Sequence, residues 1–321
     1  MHSSSMSDGG VRRSYAILGT GALGGFYGAR LQQASKTVHF LLHSDYEQVR
    51  QHGLVVESPD GDFTLPHVNA YRDASKMPPC DVAIVALKTT QNNLLPSILP
   101  PLLKDDGVVL VLQNGLGMEE EVARIVGEER VMGGLCFICS NKVGAGHIRH
   151  LDYGEVKLAE YTPGYQACGI TERMRQIASD FESAGIPILL AEDLLLARWQ
   201  KLIWNIPYNG LSVVLDATTD ELMADMHTRA LVEDLMGEVV AGAAACDRII
   251  PDSFVQKMLD YTLNMEPYRT SMKIDYDSGR TMEVETMFGN PLRAAGNRAV
   301  NLPKIAIIYQ QLKFLDARNC R

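Results

Sequence analysis

The segment Trp199 to Gly210 places one lysine and two asparagines at successive intervals of four residues, Lys201, Asn205 and Asn209. Residues four apart lie on nearly the same face of an α-helix, so the spacing predicts one row of polar groups. The apolar neighbours favour a row that grips a small polar molecule over a solvated face. Because Pro207 lacks a backbone N–H, we expect a kink or a helix end between the two asparagines. The segment alone leaves open a structural polar stripe that ends at its last asparagine and glycine.

A glycine-rich turn follows the first apolar run of the chain. It has the pattern G-x-G-x-x-G and lies between a predicted strand and a predicted helix. Glycines permit a sharp turn and a close approach of the backbone to a pyrophosphate, which the N–H groups of the helix N-terminus then stabilise. The position favours a dinucleotide site over a purely structural turn. The residues expected to contact the cofactor here are Gly19, Gly21, Ala22, Leu23 and Gly24.

The second predicted strand ends in His43-Ser44-Asp45, about 20 residues beyond the glycines, where the ribose 2′ group is recognised. An acidic residue at this place favours NAD, and a cation favours NADP. His43 can donate a hydrogen bond to a phosphate, whereas Asp45 is either a ribose contact or the N-cap of the next helix. These residues give a mixed signal on the cofactor.

Two further strands end in polar residues, Lys88 and Asn114. In open parallel sheets, ligands lie beyond the carboxyl ends of the strands, so we expect both to contact cofactor or substrate. Taken alone, Asn114-Gly115 would favour a turn. Near the other end of the chain, Ser271 and Glu283 supply a hydroxyl and a carboxylate on a polar segment that we expect to bend at Gly279. An exposed loop is the ordinary interpretation of such a segment.

The elements that must position these residues follow two patterns. Up to about Ala191, short apolar runs alternate with helical patterns, which predicts a parallel sheet covered on both faces and interrupted by a hairpin around Pro59-Asp-Gly61. Beyond that point, long helical patterns predominate. The sequence therefore predicts an α/β fold, with a Rossmann-type dinucleotide-binding domain at 14–191 and a mostly α-helical domain at 192–318, to which the family resemblance described below assigns substrate binding and catalysis. The predicted strands are 15–18, 37–42, 53–57, 63–65, 81–87, 107–112, 131–140, 147–150 and 156–159, and the predicted helices are 21–33, 92–103, 119–126, 220–246, 254–265 and 303–315.

Composition and charge exclude several classes of function. The net charge of −9 over 321 residues argues against a general binder of nucleic acid or acidic membranes. Residues 1–14 lack a secretory signal, and no apolar run approaches the ~18 residues that span a bilayer, so we expect a soluble, cytoplasmic protein. The six cysteines are too scattered for a disulfide framework. We expect Cys136 and Cys139 to be buried, reduced thiols, and we expect no metal site.

Five segments in order, GTGALGGFYG, VALKTTQ, LQNGLG, WQKLIWNIPYNG and SMKIDYDSGRTMEVE, closely resemble the ketopantoate reductase family (2-dehydropantoate 2-reductase). The resemblance runs from about Tyr15 to about Leu315. It implies an N-terminal Rossmann domain, a helical C-terminal domain and an active site in the cleft between them. It also implies an oxidoreductase acting on CH–OH groups, which uses NADPH to reduce ketopantoate to (R)-pantoate in pantothenate and coenzyme A biosynthesis.

The resemblance implies a role for each polar residue. Lys201 matches the catalytic lysine and Glu283 the active-site glutamate, with Glu285 one step beyond the motif spacing. An ammonium beside the ketone oxygen stabilises the developing alkoxide and can deliver the proton, and Glu283 could orient it. Lys88 matches a residue on the cofactor side. The residues implied for substrate binding are Asn205, Asn209, Ser271 and Asn114, and Asn114 is implied for the cofactor as well.

The chain departs from the family pattern at His43, where many members have arginine, and at Gly210, where many have proline. The first departure keeps NAD as an alternative cofactor and predicts a smaller preference for NADPH. Two other functions stay open: a reductase of another small 2-oxo acid, and a catalytically silent nucleotide-binding paralogue. The expected partner is the small-molecule substrate, and the sequence leaves open whether the chain forms a homodimer.

Overall fold

The structure is a computed structural model that describes residues 13–319. The predicted lack of a secretory signal in residues 1–14 therefore falls almost wholly outside the described residues. The described strands are β1 (Ser14–Leu18), β2 (Thr37–Leu41), β3 (Leu54–Glu57), β4 (Phe63–Leu65), β5 (Asn69–Tyr71), β6 (Cys80–Val85), β7 (Leu103–Val111), β8 (Val131–Gly144), β9 (His147–Glu160) and β10 (Ile188–Leu190).

These strands form one sheet in the order β4-β3-β9-β8-β7-β6-β1-β2-β5, and β10 pairs with β9. The pairs β3–β4 and β8–β9 are antiparallel, and the other pairs are parallel. The central strands β6, β1 and β2 end at the same edge of the sheet. Polar residues that follow these strands are therefore brought together at that edge.

The described α-helices are α1 (Ala22–Gln33), α2 (Tyr46–His52), α3 (Leu95–Ile98), α4 (Met118–Val126), α5 (Glu172–Ser183), α6 (Leu194–Val214), α7 (Thr219–Ala224), α8 (Met226–Ala245), α9 (Asp252–Asn264), α10 (Ser271–Asp277), α11 (Asn290–Gly296) and α12 (Pro303–Asn319). A π-helical turn, Glu285–Gly289, directly precedes α11. Among residues 13–319, no helix is both long enough and apolar enough to cross a membrane.

Helices cover both faces of the sheet, as the alternating pattern predicts. Successive residues of β1 point to opposite faces, so Tyr15 and Ile17 pack into the core beneath α1 and α5. Ala16 and Leu18 pack into a second core with α3 and α4. The Rossmann-type parallel sheet and the helical C-terminal domain of the predicted fold class are both confirmed.

The helical domain is built around α6, which packs against α8, α10 and α12. Its apolar side chains belong to one core cluster with those of the surrounding helices. Trp199 is fully buried, and a Cβ on Gly242 of α8 would lie 2.8 Å from its ring, so the two helices meet at a glycine. The predicted division at 191/192 falls in the connection between β10 and α6 and stays a prediction.

Several element boundaries differ from the prediction. The predicted helix 92–103 is instead two 3-10 turns flanking the short α3, because Pro96, Pro100 and Pro101 cannot donate helical hydrogen bonds and restrict the residues before them. The predicted helix 220–246 is divided at Asp225, whose extended backbone and carboxylate cap α8. The two strands predicted at 147–150 and 156–159 form one strand, β9. The hairpin at β3 and β4 is confirmed.

Two predictions about the chemically important segments are also wrong. The helix does not end near Pro207, since α6 continues to Val214. Burial of most of its residues against three other helices offsets the ~3 kcal/mol cost of an interior proline. The segment that begins at Ser271 is not an exposed loop, because its first seven residues form α10 and Met272, Lys273 and Asp275 are buried.

Candidate active site

A cavity of about 390 Å³ lies between the carboxyl edge of the sheet and the helical domain. This volume lies within the range of small-molecule and cofactor sites, about 300 to 1,000 Å³. His43 and Gly24 do not line it. The predicted site residues that do line it are Gly19, Gly21, Ala22, Leu23, Lys88, Asn114, Lys201, Asn205, Asn209, Ser271 and Glu283.

The three glycines of the turn between β1 and α1 have three different surroundings. Gly19 has a φ of +96°, and a Cβ there would lie 2.6 Å from the backbone nitrogen of Leu87. A Cβ on Gly24 would lie 2.2 Å from the Gly19 carbonyl oxygen, so the helix could not pack this close to the strand. A Cβ on Gly21 would meet no atom within 4 Å. The open space at Gly21 lies at the N-terminus of α1, which suits the approach of a pyrophosphate.

Lys201 lies on α6 with 7% of its surface exposed, and its Nζ donates a hydrogen bond to the Cys136 carbonyl oxygen at 2.7 Å. Its ammonium lies 5.7 Å from the centre of the Phe137 ring. No carboxylate within residues 13–319 forms an ion pair with it. Burial lowers the pKa of Lys201 to about 8, and the nearby Arg198 contributes in the same direction. The residue is therefore a cation that can release its proton near neutral pH.

Arg198, one turn before Lys201, fixes α6 to the Rossmann-type domain. It is 1% exposed and forms an ion pair with the fully buried Glu119, with its Nε 2.9 Å from Oε1. Its Nη1 also donates to the carbonyl oxygen of Gln113 at 2.6 Å, just beyond β7. The sequence analysis missed this anchor, although an arginine within the apolar run LLLARW was the available signal.

The two asparagines of α6 differ in what their side chains contact. The Asn205 Nδ2 is buried and has no hydrogen-bond partner in the described chain, so it is available to a ligand. The Asn209 Nδ2 donates to the Asn205 carbonyl oxygen at 3.0 Å, and its Oδ1 accepts from the backbone N–H of Met272 at 3.2 Å. Asn209 thus holds the first turn of α10, which presents Ser271 to the cavity.

Lys88 and Glu283 meet across the cavity, one from each domain. Lys88 Nζ lies 2.6 Å from Asp275 Oδ2 and 3.7 Å from Glu283 Oε2. Desolvation works to lower the pKa of Lys88, but the carboxylates of Glu283 and Asp275 outweigh it and raise that pKa. Glu283 Oε1 also accepts from the backbone N–H of Thr89 at 2.8 Å. These contacts join Glu283 to the end of β6, and the expectation that it orients Lys201 stays a prediction.

The sequence analysis also missed Asp275 and Arg280. Asp275 is 3% exposed and accepts from Arg280 Nε at 3.0 Å in addition to its ion pair with Lys88. Its position four residues after Ser271 places both on one face of α10, and that spacing was a usable signal. Glu285, by contrast, faces away from the cavity and bonds to Tyr309 and Lys313. Partial burial acts to raise the pKa of Glu285, but these bonds outweigh it and lower that pKa to about 2.

Asn114 follows β7 at a turn that packs on the π-helical segment. A Cβ on Gly115 would lie 2.4 Å from the Thr286 carbonyl oxygen, and the Leu116 N–H donates to that same oxygen at 3.0 Å. This tight packing leaves the Asn114 Oδ1 buried without a partner in the described chain. Asn114 therefore offers the cavity an acceptor, and Asn205 a donor, that have no partner in the described chain.

Asp45 follows the end of β2, and its interpretation as a helix N-cap is confirmed in position only. It occupies the N-cap position of α2, yet its side chain makes no capping bond. It is 6% exposed and binds Lys142 Nζ at 2.6 Å and the Gly146 N–H at 3.0 Å. Burial would raise its pKa, but these bonds and that from Ser44 lower it. His43 is exposed and lies outside the cavity lining.

Cys136 and Cys139 are both buried and free, as predicted. Burial raises the pKa of both thiols, that of Cys139 to about 12. They are therefore neutral thiols in the described structure.

Aromatic side chains from five separate segments close the remaining wall of the cavity. Tyr153 of β9 and Tyr261 of α9 lie with their ring centres 5.0 Å apart, and Trp204 of α6 donates to Thr262 Oγ1 at 3.1 Å. Phe137 and Tyr268 complete the wall. No local pattern in the sequence could reveal this wall, because its members are far apart along the chain.

The comparisons with known proteins agree with this geometry. Residues 15–163 match the family described as ketopantoate reductase PanE/ApbA, and residues 193–316 match the family of its C-terminal domain. A 2-dehydropantoate 2-reductase from Nostoc sp. (strain PCC 7120) is 68% identical over 96% of each chain.

Solved structures give the same answer. The crystal structure of 2-dehydropantoate 2-reductase from Geobacter metallireducens GS-15 has a TM-score of 0.90 at 40% identity and covers 94% of this chain and 99% of its own. The enzyme of the same name from Methylococcus capsulatus has a TM-score of 0.86 at 32% identity, with coverage of 96% and 98%. With a glycine turn, a buried lysine and an inter-domain cavity, the chain belongs to the ketopantoate reductase family.

Proposed function

We propose that this protein is a 2-dehydropantoate 2-reductase that uses NADPH to reduce ketopantoate to (R)-pantoate. The observation that carries the proposal is the buried ammonium of Lys201, which has no carboxylate partner in the described chain and faces the same cavity as the glycine turn. The name of the 68% identical relative supports the same substrate. The proposal therefore rests on one geometric feature and on a family relationship.

The residues of the turn fit a dinucleotide. Gly21 leaves open space at the N-terminus of α1, and Lys88 and the unpaired Asn114 Oδ1 follow at the ends of the neighbouring strands. This arrangement supports a pose in which the reactive end of an extended cofactor points toward α6. A bound nicotinamide would supply a hydride to the ketone carbon of the substrate.

Lys201 supplies the proton in this scheme. As negative charge develops on the ketone oxygen, the ammonium stabilises it and then transfers a proton to it, leaving a neutral amine that solvent reprotonates. A pKa of about 8 makes the ammonium the main form at neutral pH and also a competent proton donor. Its hydrogen bond to the Cys136 carbonyl oxygen holds the donor in place before substrate binds.

The substrate carboxylate and hydroxyl require donors that carry no full charge. Asn205 Nδ2 is a buried donor that has no partner among residues 13–319, and the Ser271 hydroxyl, at the start of α10, also lines the cavity. Asn209 supports this pair by holding α10. The aromatic wall gives the gem-dimethyl group of ketopantoate an apolar surface.

The test is a steady-state assay of the purified protein with ketopantoate and each reduced cofactor, following loss of the reduced nicotinamide absorbance. We expect turnover with NADPH and a product of R configuration by chiral chromatography. Tight cofactor binding with no oxidation across a panel of 2-oxo acids would instead identify a silent nucleotide-binding paralogue.

A second candidate is a reductase of a bulkier 2-oxo acid, and the aromatic wall of Phe137, Trp204 and Tyr261 is the observation that favours it. The same panel separates the two candidates by the ratio of their kcat/KM values. A higher kcat/KM for an aryl 2-oxo acid than for ketopantoate would replace the first proposal with this one.

A further inference from the structure

A positively charged residue, Arg72, lies at the corner of the sheet beyond β2. It was not among the polar strand ends identified from the sequence. β2 and β5 are parallel neighbours, with Leu41 opposite Tyr71, and the Leu42 N–H donates to the Tyr71 carbonyl oxygen at 2.8 Å. The residue after Tyr71 is Arg72, so it stands beside the turn that begins with His43. In a Rossmann-type sheet, the ribose 2′ group is recognised at this corner.

The glycine turn leads directly to the same corner. Thr20, within that turn, donates from its Oγ1 to the Leu41 carbonyl oxygen at 3.1 Å. A cofactor whose pyrophosphate lies at the N-terminus of α1 therefore has its adenosine ribose near the end of β2.

Arg72 is held toward this turn and has no other partner. Its guanidinium carbon lies 5.9 Å from the centre of the ring of Tyr46, the first residue of α2. It is exposed and forms no ion pair or hydrogen bond within residues 13–319. The adjacent carboxylate of Asp73 is engaged elsewhere, accepting from the Ser75 N–H at 2.9 Å.

The acidic residue at this corner does not oppose a phosphate. Asp45 would favour an unphosphorylated ribose if its carboxylate faced the cofactor. Instead it is buried in an ion pair with Lys142 and accepts the Gly146 N–H. Its negative charge is therefore compensated within the protein, whereas no carboxylate among residues 13–319 forms an ion pair with Arg72.

The geometry points to Arg72 as the main contact for the 2′-phosphate of NADPH, with His43 and Ser44 as secondary donors. This inference rests on the proposed use of NADPH. A guanidinium carries a permanent charge and can bind a phosphate with two parallel hydrogen bonds, which an imidazole cannot do. Arg72, on the neighbouring strand end, thus takes the role that an arginine at position 43 would have.

Direct binding tests this without turnover. The probes are adenosine 2′,5′-bisphosphate and adenosine 5′-monophosphate, which differ only in the 2′-phosphate, and their Kd values are measured by titration calorimetry. We expect wild type to prefer the bisphosphate. Arg72→Gln should raise the Kd of the bisphosphate by roughly 10- to 100-fold, the scale of a charge-assisted hydrogen bond. It should raise the Kd of the monophosphate by less than about threefold.

Three further variants sharpen the result. Arg72→Lys should retain part of the preference because it keeps the charge, and Arg72→Glu should abolish it through repulsion. Arg175→Gln is the matched control, because Arg175 is also exposed but lies on α5, at the opposite edge of the sheet. Asp180 of the same helix binds Lys36, which precedes β2. This control should leave both Kd values unchanged. Thermal melting checks that each variant is folded.

Two outcomes overturn the inference. One is equal binding of the two probes by wild type. The other is an Arg72→Gln protein that keeps its preference while His43→Gln loses it, which would make the histidine the phosphate contact. If ketopantoate is not reduced but the expected binding pattern is found, the proposed substrate fails and the role of Arg72 stands.

Discussion

Two lysines face the cavity from opposite domains, and their surroundings differ in nearly every respect. Lys201 of α6 is 7% exposed, and among residues 13–319 its ammonium bonds only to a backbone carbonyl. Lys88, beyond β6, has 44% of its side chain exposed and lies between the carboxylates of Asp275 and Glu283. Burial lowers the pKa of Lys201 to about 8, whereas the two carboxylates raise that of Lys88.

The difference shows that residue type does not assign the chemistry. A proton donor must be able to lose its proton, and burial without a counter-ion permits this. A residue that binds an anionic ligand or joins two domains must keep its charge, and paired carboxylates ensure it. We therefore propose proton transfer for Lys201, and cofactor contact together with domain contact for Lys88.

The largest effect is expected for Lys201→Ala. Loss of the proton donor and of alkoxide stabilisation should reduce kcat by roughly two or more orders of magnitude. The Kd of the cofactor should change little, because the glycine turn is untouched. Steady-state kinetics and direct cofactor binding measure the two effects.

Lys157→Met is the matched control for this variant. Lys157 is also a partly buried lysine whose pKa burial lowers, and it contacts Gln200 beside Lys201, but it does not line the cavity. Its replacement should leave kcat nearly unchanged. Near-normal turnover of Lys201→Ala would remove this lysine from the mechanism and with it the contrast between the two cations.

The pH dependence of kcat should show which lysine titrates. The ammonium of Lys201 is the active form, so kcat should fall as pH rises through about 8, by about tenfold per unit above it. The carboxylate of Glu283 raises the pKa of Lys201, so in Glu283→Gln this fall of kcat, the alkaline limb of the pH profile, should move to lower pH. A limb that stays in place in Glu283→Gln, or that persists in Lys201→Ala, would contradict the assignment.

The smallest effect is expected for Lys88→Gln. Asp275 keeps its second ion pair, with Arg280, when Lys88 is replaced, so we expect the variant to fold. We expect the KM for the cofactor to rise by about tenfold with a smaller change in kcat and no shift of the alkaline limb. Lys104→Gln is the control, since Lys104 has 45% of its side chain exposed and binds Asp81 at 2.9 Å. A loss of kcat as large as that of Lys201→Ala would show that the two lysines act alike.

Local patterns in the sequence were sufficient for the fold class, the glycine turn and the polar row of α6. Period-two apolar runs, 3.6-residue periodicity and glycine spacing depend only on near neighbours, so they can be recognised in one chain. The row was correct in its i, i+4 register because that register is a property of the helix itself. Prolines caused two opposite errors. A helix was predicted at 92–103, but the prolines of that segment break it. A kink or a helix end was expected near Pro207, but α6 continues past it to Val214.

Only the tertiary structure decided which polar groups meet. It paired Glu283 with Lys88 rather than with Lys201, placed Asp45 in an ion pair with Lys142, and brought Arg72 against the ring of Tyr46. These contacts join residues that are distant along the chain, and strand order and inter-helix packing set them. The pKa of Lys201 likewise depends on how much water the surrounding domain excludes, which no local pattern encodes, because desolvation is a property of the assembled core.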